Sequence, residues 1–125
     1  MNTYEMVKNE DQYFDFIRRL RIDPDNIKGF LDQVYISPEQ QKLYMSKYKD
    51  CFHVCLCNTI PVGYIGIVDN DIRICTRSDF KNKGVGTFML TYVRDNFPMA
   101  TGKILKNNLI SKKLFDKVGV HYKLI

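Results

Sequence analysis

The hydrophobic pattern of this 125-residue chain changes its period at residue 51, and this change constrains the fold more than any other feature. Before it, apolar residues recur at the spacing of one helix face: Tyr13, Phe16, Ile17 and Leu20. After it, the segment CFHVCLC places alternate side chains on opposite faces, as a strand does. The chain therefore joins a mostly helical front part, residues 1–50, to a sheet-forming part.

Local signals divide the front part into a strand and three helices. The predicted elements are a strand over residues 3–7, a helix from about residue 9 to 21, a short helix over residues 26–33 and a helix that opens at Pro38. Asn9 with Gln12 and Ser37 with Gln40 have the spacing of capping boxes. Asp23 stands before a proline, where helical backbone is disfavoured.

Beyond residue 51 the pattern predicts a mixed α/β (α+β) domain with a mostly antiparallel central sheet flanked by helices. Strands over residues 51–57, 62–68 and 72–76, separated by turn residues, form an antiparallel meander. A helix over 84–97, a strand over 102–106, a helix over 109–118 and a final strand over 121–125 follow. The length suits a single domain over residues 1–125.

Composition excludes several classes of protein. The N-terminal segment MNTYEMVKNEDQ lacks the apolar region of a signal peptide, and no apolar run approaches the about 20 residues of a membrane span. We therefore expect a cytoplasmic protein that does not enter a membrane. Four clustered cysteines are too few for a secreted disulfide framework and are expected to stay thiols.

Charge is unevenly distributed along the chain. Residues 73–125 hold 11 basic and three acidic side chains, whereas residues 1–72 hold eight and 11. The basic half is expected to meet an anion. Nucleic acid is an unfavoured candidate, because the sequence lacks the basic and aromatic platform on which bases stack.

The cysteines and histidine of the strand at residue 51 are not expected to bind a metal ion. Alternate side chains on a strand stand about 6.5–7 Å apart, whereas zinc–sulfur bonds measure about 2.3 Å. The same residues are better explained as small side chains packed on a sheet face. No metal site is therefore predicted.

The segment from Thr76 to Thr87 lies between a strand and a helix and carries two glycines, Gly84 and Gly86. Backbone N–H groups at a helix N-terminus, uncovered by side chains, suit phosphate oxygens, and two lysines add positive charge. The segment has neither the Walker pattern nor the third glycine of a dinucleotide fingerprint. A plain helix-capping turn is the alternative.

This loop resembles the pyrophosphate signature of the GNAT superfamily of acyl-CoA-dependent N-acyltransferases, [Q/R]-x-x-G-x-[G/A], with Lys81 in the first place. A second block is similar to the family's N-x-x-[S/A]-x-x-[L/F]-[Y/F]-x-x-x-G-[F/V] helix and runs from Asn108 to Val120. The resemblance covers residues 50–120 well. It implies that residues 51–120 form the acetyl-CoA-binding core.

The resemblance also implies where acetyl-CoA binds. The implied cofactor-binding residues are Ile74, Cys75 and Thr76 for the pantetheine arm, Lys81, Asn82, Lys83, Gly84, Val85, Gly86 and Thr87 for the pyrophosphate, and Asn108, Ser111 and Phe115 on the far side. The thioester is expected where the fourth and fifth strands splay apart. An amine would then attack it directly, without a covalent enzyme intermediate.

The chain departs from the family pattern in two places, the catalytic acid and base and the C-terminus. The position of the family's usual acid, a tyrosine, holds Phe115, which has no proton to donate. Either no acid is needed, or water, Cys75 or Tyr122 replaces the tyrosine, and we assign Tyr122. As base we favour Asp71 over Asp69, with a simple turn role as the alternative for both.

The chain also ends soon after Gly119, which shortens the C-terminal strand region and leaves an edge that a second subunit of a homodimer could cover.

These features predict an acetyl-CoA-dependent N-acetyltransferase acting on a small primary amine such as an amino sugar. Acidic residues of the front part favour a cationic amine such as a polyamine or a lysine side chain: Asp23, Asp25, Asp32, Glu39 and Asp50. A protein lysine or N-terminal acetyltransferase is one alternative. A non-catalytic acyl-CoA-binding module is the other, because no clear acid and base are present.

Overall fold

The computed structural model describes residues 2–27 and 35–125. In this part of the chain six strands form one sheet: β1 Tyr4–Lys8, β2 Phe52–Cys57, β3 Ile60–Val68, β4 Asp71–Thr76, β5 Thr101–Ile104 and β6 Tyr122–Leu124. The α-helices are α1 Phe14–Ile22, α2 Pro24–Ile27, α3 Pro38–Tyr48, α4 Val85–Asn96 and α5 Leu109–Val118. Short 3-10 helices cover Asp11–Tyr13, Lys49–Cys51 and Ser78–Phe80.

The order of strands in the sheet follows their order in the chain. Strands β1 to β4 pair antiparallel, joined after β2 by tight turns, whereas β4–β5 and β5–β6 are parallel. Helices α4 and α5 make the connections between the parallel strands, which need such crossovers. The predicted fold class is therefore confirmed: a mixed, mostly antiparallel sheet flanked by helices, with a last strand of only three residues.

Helices cover both faces of the sheet and divide the core into two layers. One layer packs α4 and α5 against a face that includes Cys55, Cys57 and Ile65. The other packs α1 and α3 against a face that includes Phe52 and Val54. The predicted alternation is confirmed for residues 52–57, whereas Cys51 lies in a 3-10 helix and packs in the layer of Phe52. Cys55 and Cys57 are buried because the second face is covered as well.

The two predicted capping boxes have different outcomes. Ser37 accepts a hydrogen bond from the backbone N–H of Gln40, and the Gln40 side chain accepts one from the Ser37 N–H, so this box is confirmed. The box predicted at Asn9 is wrong. Its side-chain amide instead donates to the carbonyl oxygen of Lys49 over 3.3 Å, which ties the end of β1 to the end of α3.

The remaining boundaries follow from local backbone chemistry. Asp23 is extended, as expected before proline, and Pro24 opens α2, where its missing N–H costs no helical bond. Of the helix predicted over residues 26–33, residues 26 and 27 lie in α2, which begins earlier, at Pro24, and residues 28–33 lie outside the described residues. Within residues 2–27 and 35–125, no helix has the length and apolar character needed to cross a membrane.

Candidate active site

A cleft opens in the sheet where β4 and β5 separate. These strands pair only through Asp71 with Thr101 and Ile72 with Gly102, close to the N-terminal end of each strand. Beyond those pairs their C-terminal ends diverge. The resulting cleft has a volume of about 480 Å³ and is lined from α1 and α3 on one face of the sheet and from α5 on the other.

The pairing of β4 with β3 fixes where the β4 backbone points. The N–H of Arg77 donates to the carbonyl of Val62 over 2.8 Å, and this pair continues the β3–β4 register. Because bonding alternates along an antiparallel pair, the polar groups of Cys75 face β3. Those of Ile74 and Thr76 point to the side of β5, where the strands diverge. The backbone groups directed at the cleft side therefore belong to Ile74 and Thr76.

The segment before α4 that carries Gly84 and Gly86, here called the glycine loop, connects β4 to this helix. Two of its residues have the left-handed backbone conformation. Asn82 has φ 63° and Gly84 φ 86°. The first intrahelical donor of α4 is Phe88, whose N–H donates to the Gly84 carbonyl over 3.0 Å. The amides of the first turn, residues 85–87, consequently precede the helical bonding pattern and point out of the N-terminus. This turn contains no acidic side chain.

Both lysines of the loop are exposed, and other elements hold the loop in place. The Lys81 ammonium donates to the carbonyl oxygen of Asp25 over 3.3 Å. The Lys83 ammonium lies 5.0 Å from the centre of the Phe80 ring. The backbone carbonyl of Lys83 accepts a hydrogen bond from the Tyr4 hydroxyl. The loop is thus anchored to α2 and to β1 while its cations remain at the surface.

One side of α5, with its N-cap residue, faces the cleft. Asn108 caps this helix by accepting from the N–H of Ser111 over 3.2 Å. The Phe115 ring packs directly on Gly102, where a Cβ would lie 2.5 Å from a ring carbon. Of the predicted cofactor residues, Ile74, Asn108, Ser111 and Phe115 line this one cleft. Cys75, Thr76 and the glycine loop are not among its described lining residues.

A polar cluster of three side chains lies in the cleft: Asp71, Arg73 and Tyr44. The Arg73 guanidinium donates to the Tyr44 hydroxyl, and its Nε lies 3.8 Å from the Asp71 Oδ2. Burial raises the pKa of Tyr44, and the charge of Arg73 opposes that rise. Asp71 was predicted as a site residue, whereas Arg73 and Tyr44 were missed. The i, i+3, i+4 spacing of Gln41, Tyr44 and Met45 could have indicated a buried helix face, but it gives no partner for Tyr44.

The other predicted acids lie elsewhere. The Tyr122 hydroxyl donates to the Asp116 carboxylate over 2.7 Å, is outside the cleft lining, and has a raised pKa because of that bond. The Cys75 thiol is buried in the core layer against α1, where its Sγ lies 3.7 Å from the Leu20 carbonyl oxygen. Burial raises the pKa of Cys75 to about 12. Neither group is brought together with Asp71 in the cleft.

Four of the five acids that favoured a cationic substrate do not line the cleft. Asp23, Asp25, Glu39 and Asp50 are absent from its described lining, and Asp32 is outside the described residues. Asp71 is the acid that lines it. The expected acidic surround for a polyamine is therefore not found in the part of the cleft that the structure describes.

The described residues contain no group of three histidine, cysteine or acidic side chains placed to bind a metal ion. On the cysteine-rich strand, His53 lies among aromatic rings, with ring centres 5.5 Å from Tyr92 and 5.9 Å from Phe97. Burial lowers the pKa of His53, and Lys8 adds to that effect. The His53 side chain therefore packs against aromatic residues of α4 and of its C-terminal end.

The sequence matches no protein-family model and no curated protein. Solved structures do match. A domain from Methanocaldococcus jannaschii has 19% identity and a TM-score of 0.79 over 95% of this chain and 88% of that chain. Spermidine N-acetyltransferase from Vibrio cholerae, solved with CoA and spermine, has 11% identity and a TM-score of 0.78 over 93% and 79%.

A third structure is an acetyltransferase of the GNAT family from Streptococcus pneumoniae, with 14% identity and a TM-score of 0.72 over 94% of this chain and 83% of that chain. The similarity in each case extends over nearly the whole chain, so it includes the front helices as well as the part that carries the two motifs. At these identities the likeness concerns the fold. The resemblance read from the loop and from α5 is confirmed at that level: this chain has the GNAT fold.

Proposed function

We propose that this protein transfers an acetyl group from acetyl-CoA to a small primary amine. The observation that carries the proposal is the cleft between the diverging ends of β4 and β5, lined by Asp71 together with Asn108, Ser111 and Phe115. A neighbour of the same fold, the spermidine N-acetyltransferase, was solved with CoA and an amine. The cleft lies beside β4, and the glycine loop follows β4 in the chain. One extended co-substrate would require such an arrangement.

The residues present fit acetyl-CoA. The first-turn amides of α4, with two exposed lysines nearby, suit a pyrophosphate, because helix N-termini favour anions. The backbone groups of Ile74 and Thr76 are directed so that a pantetheine arm could pair with them as an added strand does. Acetyl-CoA would supply the activated thioester.

The polar cluster supplies the proton chemistry of the transfer. A bond forms between the amine nitrogen and the acetyl carbon, the carbon–sulfur bond breaks, and one proton must pass from nitrogen to sulfur. We propose that Asp71 takes the proton from the amine, directly or through water. Tyr44 is proposed as the donor to the leaving thiolate, since burial keeps its hydroxyl protonated and the Arg73 hydrogen bond leaves that proton free to donate.

Binding of CoA is tested with Thr87→Glu. A carboxylate in the first turn of α4 favours the helix dipole, so the fold should be kept, but it would repel a pyrophosphate. We expect Thr87→Glu to weaken CoA binding at least about tenfold, measured by calorimetry and by the thermal shift that CoA causes. Thr87→Gln, of the same size and uncharged, is the control and should retain binding. Equal CoA affinity in both variants would contradict the placement of the pyrophosphate.

Turnover is tested by acetyl-CoA consumption over amino sugars, amino acids, polyamines and peptides. Consumption with a small amine supports the proposal. Consumption with peptides alone would favour the protein acetyltransferase alternative. The non-catalytic alternative is motivated by Phe115, which cannot donate a proton. Tight CoA binding without consumption of acetyl-CoA by any amine would establish it.

A further inference from the structure

We propose that the acceptor amine carries a carboxylate, and that Arg73 recognises this group beside Asp71. The inference rests on the proposed function and narrows its substrate class. It replaces the cationic acceptor expected from the front-part acids with a zwitterionic one, such as an amino acid.

The described lining of the cleft is more basic than acidic. Its charged side chains are Arg21, Arg73 and Lys103 on the positive side and Asp71 on the negative side. A polyamine would place several ammonium groups among these cations, at a cost that grows as water is excluded. An acceptor that brings one negative and one positive charge fits this lining better.

The co-substrate does not account for these cations. Its charged groups are phosphates, which the proposed function places at the glycine loop and around the exposed lysines there. The part that would enter the cleft, the pantetheine arm and acetyl group, is uncharged. Arg73, already paired with Asp71 and Tyr44, keeps further N–H donors for a second anion. The acceptor is the remaining molecule in the reaction that could bring one.

Arg73 has the donors for a carboxylate. One terminal nitrogen of its guanidinium donates to the Tyr44 hydroxyl, which fixes the orientation of the planar group. Its Nε is 3.8 Å from Asp71 Oδ2, longer than a hydrogen bond, and its side chain is 41% exposed. A guanidinium offers five N–H donors in a fork that matches the two oxygens of a carboxylate.

Asp71 completes the site for the amine end. Its Oδ1 is buried and has no hydrogen-bond partner among the described residues. A buried carboxylate oxygen without a donor is costly, and an ammonium or amine N–H would satisfy it. Side by side, Asp71 and Arg73 thus present an acceptor for the amine and a donor fork for a carboxylate on the same small molecule.

Matched pairs of substrates test this inference. Each pair consists of an amino acid and the amine left after its decarboxylation: L-methionine and 3-(methylthio)propylamine, L-tyrosine and tyramine, L-ornithine and putrescine. We expect kcat/KM for acetyl transfer to be at least about tenfold higher for the better amino acids than for their decarboxylated partners, because without the carboxylate the substrate loses its bonds to the remaining N–H donors of Arg73.

Variants of Arg73 test whether this side chain causes the preference for amino acids over their decarboxylated partners. Arg73→Leu should bring the ratio within each pair close to one, mainly by raising KM for the amino acid, and Arg73→Lys should retain part of it. Lys42→Leu removes the same charge from an exposed position of α3 outside the cleft lining and should leave the ratio unchanged. An unchanged ratio in a folded Arg73→Leu protein would overturn the assignment.

The outcomes separate this inference from the proposed function. Faster acetylation of putrescine or of the other decarboxylated amines overturns the inference and leaves acetyl transfer intact. If no amine is consumed, the proposed function fails, and binding decides the inference. With CoA present, the amino acids should then raise the melting temperature of the protein more than their partners do. Equal shifts would overturn the inference as well.

Discussion

Asp71 and Asp69 are separated by one residue, yet the fold gives them different environments. Asp69 lies in the turn between β3 and β4 with φ 53°, exposed to water. Asp71 is the first residue of β4 and lines the cleft, where its carboxylate forms an ion pair with Arg73. The sequence could place both near the start of the strand. The choice between them depends on where the turn ends and β4 begins, because side chains two residues apart in one strand would lie on the same face.

Replacement of Asp71 should therefore slow the reaction while replacement of Asp69 should not. We expect Asp71→Asn to lower kcat/KM by about 10²- to 10⁴-fold, the usual effect of losing a general base. Asp69→Asn is the matched control, since asparagine also tolerates a positive φ. Steady-state rates at several pH values provide the measurement. An Asp71→Asn protein with normal activity would show that the base lies elsewhere.

Tyr44 was not predictable, because its partner Arg73 is 29 residues away along the chain. Such a contact arises from packing of α3 on the sheet and not from any local spacing. We expect Tyr44→Phe to lower kcat about 10-fold or more and to leave CoA affinity unchanged, because it removes a proton donor and no cofactor contact. CoA titration and steady-state kinetics check this. Equal loss of kcat and CoA affinity would indicate a structural role.

At the scale of elements, the sequence predicted best where local chemistry decides. Ser37 and Gln40 fix the start of α3, and α5 spans the predicted residues 109–118 because Asn108 caps it and Gly119, with φ 85°, ends it. Asn9 has the same local pattern as Ser37, but its side chain bonds to the end of α3 instead. Tertiary partners override a local signal there, and a single sequence does not display them.

The packing of α5 on β5 gives a prediction about stability. Gly102→Ala would place a methyl group 2.5 Å from the Phe115 ring, so we expect a loss of about 1–3 kcal/mol in the free energy of unfolding. The same substitution in a Phe115→Leu background should cost less, because the ring that it meets is gone. Urea unfolding of the four proteins measures this coupling. An identical cost in both backgrounds would contradict the close packing.

For the molecule as a whole, the sequence predicted the sheet, its flanking helices and the fold family, because two spaced motifs and a clear change of period act together. The composition of the cleft was not predictable, since its walls come from α1, α3, β4, β5 and α5 at once. The homodimer suggested by the short last strand stays a prediction. β6 ends the sheet in the described part of the chain, and Leu124 and Ile125 are exposed there.

The stability of the whole molecule should depend on pH through His53. Burial lowers the pKa of this histidine below its usual 6.5, so the folded protein binds its proton less readily than the unfolded chain. Its contribution is therefore fully present above about pH 6.5 and is lost as the pH falls through the folded pKa. We expect the unfolding free energy of the wild type to decline more between pH 7 and pH 5 than that of His53→Phe.

Denaturant unfolding of both proteins at each pH isolates this effect, because the carboxylates they share contribute equally to both. Phenylalanine preserves the contact with Tyr92 and Phe97 while removing the titrating group. Parallel curves for the two proteins would mean that His53 does not couple protonation to folding.

The sequential order of the strands has a consequence for how the chain folds. Strands β2, β3 and β4 form a meander of short connections, and such local contacts form quickly. β1 differs, because Tyr4 pairs with Cys57 across most of the front part of the chain. Of the six strands described, β1 leaves the ribosome first, but its partner β2 emerges only after the front part of the chain. We therefore expect β1 to join the sheet after the meander of β2, β3 and β4 has formed.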